Sequence, residues 1–427
     1  MNETFIPSQP ACDDPESIYG SLTVDGAIGQ ILYSFDAVSG YEQIPTINSI
    51  GRVLDQIIVS GLNVPAHTNA AVDGYALNSE SLPAPGVTVK IPITGRALAG
   101  TPYDQILGPR ECIRIMTGAE IPEGADTVIM QEHVQLDGEF IHIDARHRIG
   151  QNIRIAGEDI KEGSVVLEPG KFFTPADVGI VGSLGISEIK VKRKPRIAIF
   201  STGDEIYDIG DALPSGGIYD SNRFTLSSAL KRFEVDIIDL GIVPDEEASL
   251  QNALNNIAAD VDMIITSGGV SVGEADYVKD VLANLGTVEF WKVAIKPGRP
   301  LAFGNLNGTI FFGLPGNPVA VLVTFYQFVL PALRKLMGIN NAPPVPKFRA
   351  RAIERIRKLP GRTEFQRGIL EQEENGELSV RTTGKQGAGI LTSMSLANCF
   401  IILPHDSTSV ELDDYVIVQP FAGLMSL

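Results

Sequence analysis

An α/β domain flanked by smaller β-rich domains is the architecture this sequence predicts, and three observations predict it. Between residues 195 and 338, short continuous apolar runs alternate with amphipathic helical stretches, the pattern of a doubly wound parallel sheet with helices on both faces. Between about 86 and 144, β-prone runs are broken by Gly and Pro, as in a small β domain. Beyond the linker "GINNAPPVPK" the chain reads as a further small all-β domain.

The elements follow in order. Residues 1 to 20 form a polar tail with no basic start and no apolar run, so no signal peptide is expected. "VDGAIGQILYSFDAV" (24–38) has helical spacing, and "INSIGRVLDQIIVS" (47–60) reads as a second helix. "VTVKIPITG", "ECIRIMTG", "DTVIMQEHV" and "FIHIDA" are short strands inserted between helical segments, and helical character returns at 176–185. Then come "RIAIF", "TLSSALKRF", "VDIIDLGIV", "EEASLQNALNNIAA", "VDMIIT" and "ADYVKDVLANL", strand and helix by turns. "TVEFWKVAI", "PLAFG" and "TIFFG" precede a long helix after Pro318. Its stretch "AVLVTFYQFVLPALRKLM" holds polar and basic residues and a proline, so it is expected to be a buried helix and not a membrane span. In the last domain, Asn375-Gly376 marks a hairpin turn.

Composition narrows the function classes. A chain of 427 residues needs several cores, so three or four domains are expected. The net charge of −18, from 34 basic and 52 acidic side chains, argues against a broad nucleic-acid or anionic-membrane surface. Cys12, Cys112 and Cys399 are far apart, which supports neither a zinc site nor a disulfide framework and fits a reducing cytoplasm. The five histidines show no metal-ligand spacing.

In an open parallel sheet, ligands bind at the carboxyl ends of the strands. Five loops leave those ends: "STGDE" (201–205), "GIVPDEE" (241–247), "TSGGVSVGEAD" (266–276), "IKPGRP" (295–300) and "GLPGNP" (313–318). All carry glycine, which lets backbone N–H groups approach an anion. The candidate phosphate contacts are therefore Ser201, Thr202, Gly203, Gly268, Gly269, Ser271, Gly273, Pro297, Gly298, Pro315, Gly316 and Asn317. Asp204, Glu205, Asp245, Glu274 and Asp276 supply carboxylates suited to Mg²⁺, which shares its shell with substrate phosphates. Lys292, Lys296 and Arg299 supply positive charge, and Asn317-Pro318 is expected to cap the next helix. Asp73 in "VDGYA", Thr117 in "MTGA" and Asp159 in "GEDI" lie outside this domain. Neither GxxxxGK[ST] nor GxGxxG occurs, which disfavours P-loop and dinucleotide binding.

In this order "MTGAEIPEGADTVIMQE", "NIRIAGEDI", "STGDE", "IYDSN", "TSGGVSVGEAD", "WKVAIKPGRPLAFG" and "GLPGNPV" resemble the molybdopterin molybdenumtransferase family, that is, bacterial MoeA and the gephyrin E domain. The likeness runs from about residue 21 to the C-terminus and includes "GRTEFQRG" and "TSMSLANCF". It implies four domains: an elongated helical and β domain (21–58 and 152–190), an inserted β domain (59–151), a molybdopterin-binding α/β domain (191–338) and a C-terminal β-barrel (346–427). It implies a homodimer that consumes adenylylated molybdopterin and molybdate with Mg²⁺, inserts molybdenum into the dithiolene and releases AMP. Molybdopterin adenylyltransferase and recipient molybdoenzymes are the implied partners.

Carried over by motif, Asp73, Asp159, Glu205, Asp276, Lys292 and Lys296 become catalytic candidates, with Glu205, Asp245 and Asp276 as metal ligands. Thr117, Arg299, Arg367 and Ser393 become substrate contacts. The chain departs from the family pattern at Ala70, Val72, Arg299 and Ala320. Two other classes compete: a molybdopterin adenylyltransferase, against which the three additional domains argue, and a non-catalytic scaffold, which would not need Asp245 and Asp276.

Overall fold

The computed structural model describes residues 21–268, 276–340 and 344–421. It divides the chain into two compact units: 43–50 with 54–190, and the remainder.

In the larger unit, the α/β region consists of β1 (Arg196–Thr202), α1 (Ser221–Leu230), β2 (Asp236–Val243), α2 (Glu247–Ile257), β3 (Met263–Ser267), α3 (Asp276–Leu285), β4 (Thr287–Lys292), β5 (Pro300–Leu306) and β6 (Thr309–Leu314). The sheet order is β2-β1-β3-β6-β5-β4. The β2-β1, β1-β3 and β3-β6 pairs are parallel, while β5 runs antiparallel to both its neighbours. Its reversal into β6 is local, because Asn307 and Gly308 take φ of 51° and 103°, the conformations a tight hairpin requires. Side chains alternate across the sheet. Ala198, Phe200, Ile264 and Phe311 pack on Leu250 and Leu254 of α2 and Val281 and Leu282 of α3. The alternate set Ile197, Ile199, Ile265 and Phe312 is equally buried, and α1 packs on β1 and on the helix after Pro318. Both faces are therefore covered.

Pro318–Leu336 has a mean hydropathy of 1.4, and 83% of its apolar window is buried, so it is a core helix as its polar residues indicated. It widens into a π-helical turn at Phe325–Val329. Pro331 lacks an N–H and crowds the carbonyl of Gln327, which accounts for the irregularity at that point.

Five strands after residue 347 close a barrel. Thr363–Gln372 pairs through its second half with Leu378–Thr382 and through its first half with Cys399–Leu403. Phe348–Ala352 and Tyr415–Pro420 complete the circuit. Gly368 sits where the two pairings meet, and a Cβ there would lie 2.7 Å from Ile401 Cγ1. Asn375-Gly376 forms the predicted hairpin turn, with Gly376 at φ 86°.

The second unit is built on a six-stranded sheet in the order 127–130, 74–77, 112–115, 89–97, 140–143, 135–137. Ala76, Ile113 and Val128 fill one face, and Tyr75, Leu77, Cys112 and Ile129 the other. Pro175–Ser183 is a helix started by a Thr174/Asp177 capping box.

Two helix expectations need correction. The first helix spans only Val24–Tyr33, ending where the hydroxyl and N–H of Ser34 fold back on Ile31 O. Residues 47–60 are not a helix: a 3₁₀ turn at Thr46–Asn48 gives way to irregular chain and a short strand, Ile58–Val59. Gly51 at φ 76° breaks the helical path. Beyond it the N–H groups of Leu54, Asp55 and Ser60 donate to Lys171, Lys190 and Ser164, so long-range pairing displaces the local helix. Cys112 and Cys399 are free and buried, and burial pushes both thiols up to about 12.

Candidate functional site

Register aligns the strand ends of the α/β sheet. Ser201 pairs with Ile242 and Ser267, Thr202 with Val243, and Ser267 with Leu314. One row of loops therefore leaves β2, β1, β3 and β6. At this edge backbone approaches backbone closely. Gly268 has φ 91°, and a Cβ there would lie 2.2 Å from Thr202 O. Gly203 has φ 149°, and its added Cβ would meet Glu205 Oε2 at 2.8 Å. Gly316 is exposed with open space around it.

Buried polar side chains lock this edge. The Ser201 hydroxyl donates to Asp220 Oδ1 at 3.0 Å. Asp220 also caps α1 by accepting Arg223 N–H and pairs with the Arg223 side chain at 3.1 Å. Arg223 further holds Asp239 at 2.8 Å and Asp208 at 2.7 Å. Asn222 donates to Ser267 Oγ and to Gly316 O, both at 2.7 Å, tying the β3 and β6 loops together. Ser201 is thus committed to the scaffold, not presented at the edge.

The acids are placed differently. Glu205 and Asp204 are exposed, and Asp245 is half-buried and accepts the Thr202 hydroxyl at 3.3 Å. Gly269, Ser271, Gly273 and Glu274 lie outside the described residues. Asp276 opens α3, but its side chain is likewise outside them. Among the described residues no three acid, His or Cys side chains converge as a metal cluster. The hard carboxylate oxygens of Glu205 and Asp245, on adjacent strand ends, suit Mg²⁺, which commonly completes its shell with water and substrate phosphate.

The candidate cations lie on the 292–299 segment and on the barrel strand that pairs with it. Exposed Lys292 ends β4. The chain then pairs Ile295–Lys296 in parallel with Thr363–Glu364 of the barrel. Lys296 Nζ lies 3.7 Å from Glu364 Oε1. A cis bond joins Lys296 to Pro297, and Gly298, at φ 105°, packs so tightly that a Cβ would lie 2.6 Å from Thr324 Cγ2. Arg299 is half-buried, with its carbonyl accepting Val293 N–H. Three residues along the same barrel strand, Arg367 is 1% exposed. Its Nε donates to Ser393 Oγ at 3.0 Å and its Nη2 to Gly387 O at 3.3 Å. Burial pulls Arg367 down to about 10, with the Glu364 charge acting in the opposite sense.

Just past the β6 loop the chain meets the barrel, where Val319 N–H donates to Ala388 O at 3.0 Å. Asn317 occupies the N-cap position and Pro318 the first turn, yet the Asn317 side chain makes no cap bond. That expectation is corrected: the amide is left exposed at the loop tip beside Gly389, whose added Cβ would be 3.9 Å from Asn317 Oδ1.

In the 43–190 unit, Asp73 and Thr117 meet. Asp73 Oδ1 accepts the Thr117 N–H at 2.8 Å and its hydroxyl at 2.7 Å. These bonds hold the Asp73 carboxyl below its usual range. Asp159 is exposed, and its N–H donates to Val64 O at 3.0 Å. Ala70 is fully buried and Val72 packs against the same core, so the two departures from the family pattern here serve packing. Ala320 is buried in the helix after Pro318.

Asp220, Asn222, Arg223, Lys358 and Glu364 were not singled out in the sequence. An Asp-Ser-Asn run before a helix is an N-cap signal, which points to Asp220. The barrel residues offer no local signal, because their role depends on strand pairing across some 68 residues of chain.

Three family profiles match: "MoeA N-terminal region (domain I and II)" over residues 22–185, "Probable molybdopterin binding domain" over 198–335, and "MoeA C-terminal region (domain IV)" over 349–421. The chain is 42% identical over 405 residues to a molybdopterin molybdenumtransferase of Haemophilus influenzae, covering 95% of this chain and 100% of that one. It is 32% identical to one from Bacillus subtilis, covering 91% and 92%. Dictyostelium discoideum gephyrin is 34% identical, covering 92% of this chain and 61% of gephyrin. A crystal structure of molybdopterin biosynthesis moeA protein from Pyrococcus horikoshii superposes with a TM-score of 0.81 at 30% identity, covering 94% of this chain and 100% of that one.

Proposed function

The chain belongs to the molybdopterin molybdenumtransferase family, enzymes of molybdenum cofactor biosynthesis, and on that premise we propose that it inserts molybdenum from molybdate into adenylylated molybdopterin and releases AMP. The observation that supports this reading is the bond from Val319 N–H to Ala388 O, which ties the chain after the β6 glycine loop to the barrel segment that Arg367 also bonds at Gly387. One side has the backbone shape that admits phosphates; the other concentrates positive charge in a chain of net charge −18.

The division of labour follows from the residues. The open space at Gly316 leaves room for the pyrophosphate, while Gly268 lets the β3 loop close on Thr202 O. Asn222 keeps two of these loops at a fixed separation, so less ordering is required when the substrate binds. Glu205 and Asp245, together with Asp276, would hold Mg²⁺, which supplies charge neutralisation on the phosphates. Lys292, Lys296 and Arg299 bind anionic oxygens, and Arg367 with the Ser393 it holds adds a further substrate contact. Asp73, Thr117 and Asp159 contribute from the other unit of a partner subunit in a homodimer. A cytoplasmic location accords with two free, buried thiols.

The test is a single-turnover assay of AMP release with molybdate and Mg²⁺ for wild type, Glu205→Gln and Lys296→Ala. Glu205→Gln should lower the rate about 100-fold or more and shift the Mg²⁺ dependence to higher concentration. Lys296→Ala should raise the molybdate requirement. Tight pterin binding with no AMP release from wild type would replace the enzyme by a binding protein.

A further inference from the structure

A site that must take up an anion contains a buried carboxylate. Glu364 is 5% exposed and stands next to Lys296 in the register of the parallel pair, with its Oε1 3.7 Å from Lys296 Nζ. Its Oε2 accepts Gln366 Nε2 at 2.9 Å, and Gln366 is itself anchored to Arg357 O at 2.8 Å, so the carboxylate is held in place. The surrounding cations are Lys296, Arg367 on the same strand, and Lys358, which is 5% exposed. Lys358 donates to Leu359 O at 3.0 Å. Burial lowers its ammonium, the charges of Glu364 and Asp406 oppose that, and Lys296 and Arg362 add to it.

We propose that Glu364 is a positioning residue: it fixes the Lys296 ammonium at the mouth of the cluster and, by competing for that ammonium, limits how tightly the site holds an oxyanion. This rests on the reading that Lys296 receives an oxyanion substrate. A buried carboxylate parted from its cation is strongly disfavoured, so an oxyanion that engages Lys296 must do so against Glu364. Such a site binds weakly enough to release what it has taken up. Without the carboxylate, Lys296 loses its fixed position while the field at the site becomes more positive.

The measurement is direct binding of molybdate to the full chain by calorimetry, with sulfate as a second oxyanion, alongside steady-state AMP release. Glu364→Gln should lower the molybdate Kd three- to tenfold and lower kcat about tenfold. In a Lys296→Met background the same substitution should change the Kd by less than twofold, because the competed-for ammonium is gone. Glu364→Asp, which keeps the charge one methylene further back, should leave Kd within about twofold of wild type and lower kcat, and it serves if Glu364→Gln does not fold. Unchanged or weaker oxyanion binding in Glu364→Gln, or an equal effect with and without Lys296, would overturn the proposal. If wild type binds molybdate but releases no AMP, the enzymatic reading fails, and the Kd comparison still decides the role of Glu364.

Discussion

Along the β1, β3 and β6 strand ends, the candidate site is made of backbone. Gly203, Gly268 and Gly316 shape it, and the polar side chains beneath them bond to one another. On the barrel it is made of side chains, with Lys296 set beside Glu364 by pairing of residues 295–296 with 363–364, and with Lys358 and Arg367 within the field of the same carboxylate. The contrast teaches how each half tolerates change. A backbone-built surface should respond to added Cβ atoms and to loss of its scaffold, which are stability effects. A side-chain-built cluster should respond to changes of charge, which alter affinity.

The largest effect expected from this contrast is at Asp220, beneath the backbone-built half. Asp220→Ala removes the acceptor of Ser201, the cap of α1 and a buried partner of Arg223, and should cost about 3–5 kcal/mol in urea unfolding. A loss under about 1 kcal/mol would mean that Asp208 and Asp239 hold Arg223 unaided.

Next in size is the glycine comparison along the same edge. Gly268→Ala must place a Cβ against Thr202 O at positive φ and should cost about 2–4 kcal/mol. Gly316→Ala has open space and should stay within about 0.5 kcal/mol in the same unfolding experiment. Equal costs would break the claim that close approach is what glycine provides at residue 268.

Smaller again is Ser393→Ala on the barrel. It leaves the buried Arg367 Nε without its acceptor, for about 1–3 kcal/mol by thermal or urea unfolding. The smallest effect concerns Asp73 in the other unit, an acid tuned by neighbouring hydrogen bonds. Its folded pKa is depressed, so its contribution is present above the unfolded value and is lost as pH falls through the folded one. Thr117→Val removes the hydroxyl bond, and NMR titration of the carboxyl should show the pKa rising toward 3.8. No movement would assign the depression to the Thr117 N–H and the Arg114 charge.

Legibility in the sequence follows the same contrast. Glycine loops at strand ends are local signals, and the strand-end row of the structure falls at the loops read from "STGDE", "TSGG" and "GLPGNP". The alternation of strands and helices was legible for the same reason. What depends on distant pairing was not. The 47–60 segment has helical spacing, but its N–H groups find partners more than a hundred residues away. Ser201 reads as a ligand contact until Asp220 is seen to hold it. Glu364 sits in a quoted motif, yet nothing local says that Lys296 will lie beside it. Asn317 shows a third limit: spacing predicted its N-cap position correctly but could not give its rotamer.

The most direct test of the central claim is to measure, in one reaction of the purified chain with adenylylated molybdopterin, molybdate and Mg²⁺, both the molybdenum bound to the pterin dithiolene and the AMP set free. Equal amounts, rising together and abolished together when molybdate is withheld, are the result expected of an enzyme that couples insertion to release. AMP set free without molybdenum incorporated, or pterin retained with neither product, would contradict it.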